Sequence, residues 1–222
     1  MPDTAFHAFS TGAFNHVPIL TGLVRDEQAF FLPEVNGAPP LTAEGYAKDI
    51  ASFGAANVDK LTAKYPLAAY ESPSLADIAM QEGFKACTAR QLDRAWSRDV
   101  PVYAYQFNDR TAPTYFPPLS YPMRAYHPAE LQYLFVEFHG GQGTPKPLSA
   151  AQTKLSDELI AYWSSFAKTG VPNAPGKGAT PRWGRYSPAR DNLQILDIPK
   201  PSTITGYGEQ YDCALWDSVV TY

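Results

Sequence analysis

Short β-rich runs alternate with capped, helically periodic stretches along this chain, and that alternation most limits the folds open to it. Pro101 to Phe107 runs Val102, Tyr103, Ala104, Tyr105, Gln106, Phe107 and is the clearest strand. Val17 to Gly22 reads as a second, buried strand ended by Gly22. Downstream, Thr42 can cap a helix with Tyr46, Ile50 and Phe53 on one face. A shorter helix is expected from about Asn57 to Tyr65, where Pro66 stops it. Ser74 followed by Asp77 resembles a capping box for a longer helix through Phe84, Cys87 and Leu92, with a break at Gly83.

Later, Ser149 and Gln152 open a helix carrying Leu155, Leu159, Tyr162, Trp163 and Phe166, which Gly170 closes. Trp183 to Tyr186 and Leu193 to Ile198 read as a terminal hairpin or edge strand, and Tyr211 to Val219 as a last helix. Strands separated by helices predict an α/β fold with a mainly parallel sheet. With no internal repeat and no clear linker, the 222 residues read as one domain.

Charge and hydropathy remove several functions. The net charge is -4 and no basic run occurs, so no nucleic-acid partner is expected. Apolar runs such as Val17-Pro18-Ile19-Leu20 are too short to span a bilayer. Met1-Pro2-Asp3-Thr4 has neither a basic region nor an apolar stretch, so no signal peptide is read there. His127-x-x-Glu130 supplies half a metal site, but H-E-x-x-H is absent and His7, His16 and His139 show no ligand spacing. No metal and no cofactor is therefore expected. The two cysteines, Cys87 and Cys213, lack metal or redox spacing, and composition alone makes two buried free thiols the default.

The candidate chemistry lies in Tyr126-His127-Pro128-Ala129-Glu130-Leu131-Gln132-Tyr133-Leu134-Phe135. Asn108 to Arg124, polar, Pro-rich and aromatic, reads as a surface excursion that delivers the chain to His127. Its Tyr115, Phe116 and Tyr121 are candidates for one wall of a substrate gorge. A residue before proline avoids the helical region, and proline favours the first helical position. His127 is thus expected as a helix N-cap, Pro128 in the first turn and Glu130 at the end that favours negative charge. The bland alternative is a capping histidine without chemistry. Glu27 follows the first strand, in Arg25-Asp26-Glu27. That cluster is either an ordinary solvated turn or, given the apolar residues on both sides, a partly buried acid. Functional groups in an open parallel sheet gather at the carboxyl ends of strands, which puts Glu27 and His127 on one edge. A carboxylate bonded to imidazole fixes its tautomer and stabilises imidazolium, as a base in acyl transfer requires.

Gly22-Leu23-Val24-Arg25-Asp26-Glu27 followed by Phe30-Phe31 resembles the acid-bearing segment of the type-B carboxylesterase/lipase family, which includes the cholinesterases. His127-x-x-Glu130-Leu131-x-Tyr133-x-Phe135 resembles that family's histidine segment. Tyr162-Trp163-x-x-Phe166-Ala167-Lys168-Thr169-Gly170-x-Pro172-Asn173 is similar to a third and more specific one. Trp183-x-x-Tyr186 and Cys213-x-x-Trp216-Asp217 follow in the family's order. The chain departs at Gln28 and Pro128, where the family usually has glycine.

The resemblance implies an α/β-hydrolase fold, incomplete, with residues 1–222 forming the carboxyl-terminal part of a carboxylesterase type-B domain. It implies Glu27 as triad acid and His127 as base. It also implies a disulfide between Cys87 and Cys213, which match positions bridged in some members; such a bridge favours a secreted or periplasmic setting.

In this fold the nucleophile sits on a G-x-S-x-G elbow before the acid. No G-x-S-x-G occurs in the sequence. His139-Gly140-Gly141-Gln142-Gly143 resembles an oxyanion-hole motif, but follows the base where that motif should precede the nucleophile, and reads as a glycine-rich turn. The expectation is a carboxylic ester hydrolase of the serine esterase/lipase type, inactive alone, whose partner is a small-molecule ester once an amino-terminal half completes it. The competing expectations are a non-catalytic cholinesterase-like binding or adhesion protein and a truncated gene product.

Overall fold

The computed structural model describes residues 5–135, 137–138, 146–173 and 181–220. The glycine-rich turn read at His139 to Gly143 lies outside the described residues. After helix α1 (Ala5–Ser10), strand β1 spans Ile19–Val24. It begins two residues later than the sequence suggests and continues past Gly22. Gly22 does not end the strand: a Cβ there would strike the backbone oxygen and ring of Tyr105 on the neighbouring strand. Glycine is what lets the two backbones lie flat against each other.

Helix α2 (Ala43–Ser52) is capped by Thr42, whose side chain accepts from Gly45 N–H, and it buries Tyr46 and Ile50. Helix α3 (Val58–Lys64) ends before Pro66. Helix α4 (Pro73–Trp96) is capped by Ser72, with Pro73 at its start, and not by Ser74. Proline is preset for the first helical turn, and its missing N–H costs nothing there, so the cap moves two residues upstream. Gly83 does not break α4. Its bare Cα makes room for Tyr65 and Trp216, whose indole N–H donates to the Tyr65 hydroxyl at 3.1 Å. At 24 residues α4 is about 36 Å long, and Ala76, Met80, Gly83 and Cys87 recur along its buried face.

Strand β2 (Val102–Phe107) pairs in parallel with β1, Ile19 opposite Val102 through Val24 opposite Phe107. Helix α5 (Leu131–Leu134) follows, and then α6 (Ala150–Thr169) with a complete capping box between Ser149 and Gln152. Gly170, in the left-handed conformation, closes α6 by donating to Phe166 O. Strand β3 (Leu193–Leu196) is parallel to β2 and interior to the sheet, because β4 (Ser202–Ile204) pairs antiparallel on its far side. Trp183 to Tyr186 is not a strand; Tyr186 N–H donates to Val102 O of β2 at 2.8 Å, and Trp183 is buried against Tyr105, Tyr162 and Trp163. Helices α7 (Tyr207–Gln210) and α8 (Cys213–Val219) end the described chain.

The result is a four-stranded mixed sheet, order β1-β2-β3-β4, with helices on both faces, consistent with an α/β-hydrolase fold. One core joins Val24, Tyr103, Phe107 and Leu196 to Leu155, Leu159 and Tyr162 of α6. The other joins Val102, Ala104 and Leu193 to Met80 and Cys87 of α4 and Trp216 of α8. The alternation along β2 thus divides its side chains between two layers. Each large apolar side chain buried in these layers contributes about 1.5–3 kcal/mol. Cys87 and Cys213 are joined in a disulfide, Cα atoms 5.3 Å apart, so the free-thiol default is overturned. No helix among the described residues is long and apolar enough to cross a membrane.

Candidate active site

β1 and β2 point their carboxyl ends the same way, and the segments leaving those ends converge. Glu27 opens a single 3-10 turn, Glu27–Phe30, directly after β1. His127 enters from the segment that follows β2. Its Nδ1 lies 2.9 Å from Glu27 Oε1. An ionised carboxylate can only accept, so Nδ1 carries the proton and Nε2 is left for proton exchange. The His127 side chain is 41% exposed and that of Glu27 18%. The hydrogen bond to Glu27 raises the imidazole pKa above its ordinary value; burial opposes this, the charges of Glu27 and Glu130 add to it, and Lys85 works against it.

His127 is not a helix N-cap. Residues 127–130 form a turn, with Ala129 N–H donating to Tyr126 O at 2.6 Å, and the His127-Pro128 peptide is cis. Glu130, not His127, occupies the N-cap position of the four-residue α5. Burial, aided by the charge of Glu27, pushes the Glu130 carboxyl up to about 7. Its Oε2 is buried without a hydrogen-bond partner among the described residues.

The rings of Phe30 and Phe31 lie 5.3 and 5.1 Å from the imidazole, centroid to centroid. The excursion before His127 does run along the surface, with Arg110, Thr111, Pro117, Pro118, Ser120 and Pro122 exposed, but its aromatic rings turn inward. Tyr115, Phe116 and Tyr121 are buried, Tyr121 Oη donates to Ala29 O at 2.8 Å, and Phe116 packs on Phe30. So much aromatic surface is worth more folded back than left in water, whatever the polarity of the residues between. These rings pack against the turn that carries Glu27.

The Arg25-Asp26-Glu27 cluster is not a solvated turn either. Asp26 is fully buried and its carboxylate accepts from Arg110 at 2.6 and 3.0 Å. Asp109, also buried, accepts from Tyr133 Oη at 2.6 Å and from Gln152 at 3.0 Å, tying the histidine segment to α6. Among the described residues no cluster of three His, Cys, Asp or Glu could hold a metal ion.

Comparison with known proteins shows which family the chain falls in. The carboxylesterase family profile matches residues 1–216. The chain belongs to the carboxylesterase family. It is 33% identical over 116 residues to the bile salt-activated lipase of Rattus norvegicus, covering 52% of this chain and 18% of the lipase. It is 25% identical over 240 aligned residues to the acetylcholinesterase of Bungarus fasciatus, covering 97% of this chain and 37% of that enzyme. Against liver carboxylesterase 1F of Rattus norvegicus the identity is 27% over 199 residues, 82% of this chain and 34% of the relative. This carboxylesterase-family chain therefore spans well under half the length of the relatives it matches.

Within the family frame, the departure at Gln28 has a local explanation. Its amide donates to Asp77 Oδ2 at 2.9 Å and its carbonyl accepts from Lys85 at 3.0 Å, both on α4. The larger side chain is satisfied there while Glu27 still reaches His127. Burial pushes the Asp77 carboxyl up to about 6. Sequence reasoning missed Asp26, Arg110, Asp77 and Lys85. The one available signal was a short charged run flanked by Val24 and Ala29, which favours burial of at least one charge.

Proposed function

We propose that this chain supplies the acid and the base of a serine-type carboxylic ester hydrolase, with the nucleophile contributed from outside residues 1–222. The observation that carries the reading is the 2.9 Å contact between Glu27 and His127 at the carboxyl ends of adjacent parallel strands. A serine hydroxyl from outside the chain attacks the ester carbonyl while His127 Nε2 takes its proton. The imidazolium, stabilised by Glu27, returns that proton to the departing alcohol. Water then repeats the sequence on the acyl-enzyme, releasing the acid and restoring the serine.

Two further features support an incomplete α/β-hydrolase fold, its carboxyl-terminal part only. The relatives match nearly all of this chain with a minor share of their own length. The outer edge of β1, apolar at Ile19, Leu20 and Leu23, has no partner strand among the described residues; an edge of that kind is normally covered. The substrate is a small-molecule ester. The disulfide supports a secreted or periplasmic setting.

The test is hydrolysis of p-nitrophenyl acetate and butyrate by the purified chain, alone and with an amino-terminal half carrying G-x-S-x-G. The expected result is no His127-dependent turnover alone, and turnover abolished by His127→Ala in the combined protein. His127-dependent turnover by the isolated chain would overturn the incomplete-triad reading.

A further inference from the structure

We infer that Asp26, gripped by Arg110, is a positioning residue: it locks the acid-bearing and base-bearing segments together one and two residues before their functional side chains. The inference rests on reading Glu27 and His127 as acid and base.

The lock is reciprocal. Asp26 N–H donates to Ala125 O at 2.9 Å, and Ala125 N–H donates to Asp26 Oδ2 at 3.2 Å. Glu27 follows the lock by one residue on one side, His127 by two residues on the other. Arg110 closes it from a third segment, just past β2, with Nε on Oδ2 at 3.0 Å and Nη2 on Oδ1 at 2.6 Å. A planar fork on a carboxylate fixes both distance and plane, which a single ammonium contact does not. Arg124 stands farther off, 3.9 Å from Oδ1, with a left-handed backbone, φ 56°. Asp26 and Ala125 are both fully buried, so their bonds compete with little water and hold their geometry. Proton transfer between oriented groups tolerates little misplacement. A lock at the roots of both side chains restricts their relative position more directly than packing around their tips.

The charged groups facing His127 are Glu27, Glu130 and Lys85; those around Asp26 are Arg110, Arg124, Arg25 and Glu82. This permits a test by sign. Removing the positive charge of Arg110 would, through bare electrostatics, raise the His127 pKa. Loosening the lock weakens the bond to Glu27 and lowers it. Asp26→Asn would not separate the two, since losing a negative charge also lowers it.

The experiment is an NMR titration of the His127 ring in the full chain, with Glu27→Gln, Arg110→Met and Arg110→Lys, each checked for a cooperative thermal transition. The expected result is a fall in the His127 pKa toward about 6.5 in Arg110→Met, and a smaller fall in Arg110→Lys, which keeps the charge but not the fork. An unchanged or raised value in folded Arg110→Met, or no change in folded Arg110→Lys, overturns the positioning role. If Glu27→Gln leaves His127 unmoved, the acid–base reading itself fails, and that outcome is distinct because it does not involve Arg110.

Discussion

Glu27 Oε1 and His127 Nδ1 meet at 2.9 Å across 100 residues of chain. Because the folded-state pKa of His127 lies above its unfolded value, the pair's contribution to stability is complete below the unfolded pKa, about 6.5, and is lost as pH rises through the folded one. Glu27→Gln removes that contribution. Urea unfolding should show a wider gap between wild type and Glu27→Gln at pH 5.5 than at pH 8.5; equal gaps would mean that the pair is not formed.

Glu130 moves stability in the same direction for a different reason. Its carboxyl, pushed up to about 7 by burial, binds its proton more tightly folded than unfolded. Stability therefore falls as pH climbs from about 4.5 to about 7, by up to about 3 kcal/mol. Glu130→Gln should flatten the dependence over that window and be more stable than wild type at pH 8. Urea midpoints between pH 4.5 and pH 8 measure this.

The disulfide between Cys87 and Cys213 closes a separation of 126 residues and joins α4 to α8. The double variant Cys87→Ser with Cys213→Ser should lose about 2–5 kcal/mol of unfolding free energy. Equilibrium urea denaturation without reductant reads the loss.

Gly83 gives opposite signs from two rules. Glycine in a helix interior costs about 1 kcal/mol relative to alanine, so propensity predicts that Gly83→Ala stabilises. The new methyl would press into the Tyr65 hydroxyl and the Trp216 indole. Overpacking costs about 1–3 kcal/mol, and the net expectation is a lower melting temperature with weaker Trp216 burial by fluorescence.

Local rules reached far into this fold. Thr42, the Ser149–Gln152 capping box and the Gly170 stop are short-range bonds between residues at most four apart, and all stand where their spacing puts them. Strand β2 was legible because its alternation matches a sheet covered on both faces. What failed was set by distant neighbours. Gly22 and Gly83 look like terminators until Tyr105, Tyr65 and Trp216 are brought against them. Ser74 lost the cap to Ser72 because Pro73 starts the helix better than it continues one. Leu193 to Leu196 became an interior strand only because Ser202 to Ile204 returns beside it.

At the site, capping logic put His127 at a helix start when the helix begins four residues later. The convergence of Glu27 and His127 on one sheet edge was legible from strand polarity, since both follow parallel strands. The grip of Arg110 on Asp26 was not, because the apolar flanks favour burial of one charge in the run without saying which, or what partner 84 residues away would meet it.

The central claim is that His127 is a base whose serine lies outside this chain. Labelling with a fluorophosphonate, which reacts with serines activated by such a base, tests it directly. Mass spectrometry of the purified chain should find no labelled serine, and a sample combined with a G-x-S-x-G-bearing half should carry the label on that half alone, dependent on His127. A His127-dependent adduct on any serine of residues 1–222 would contradict the account.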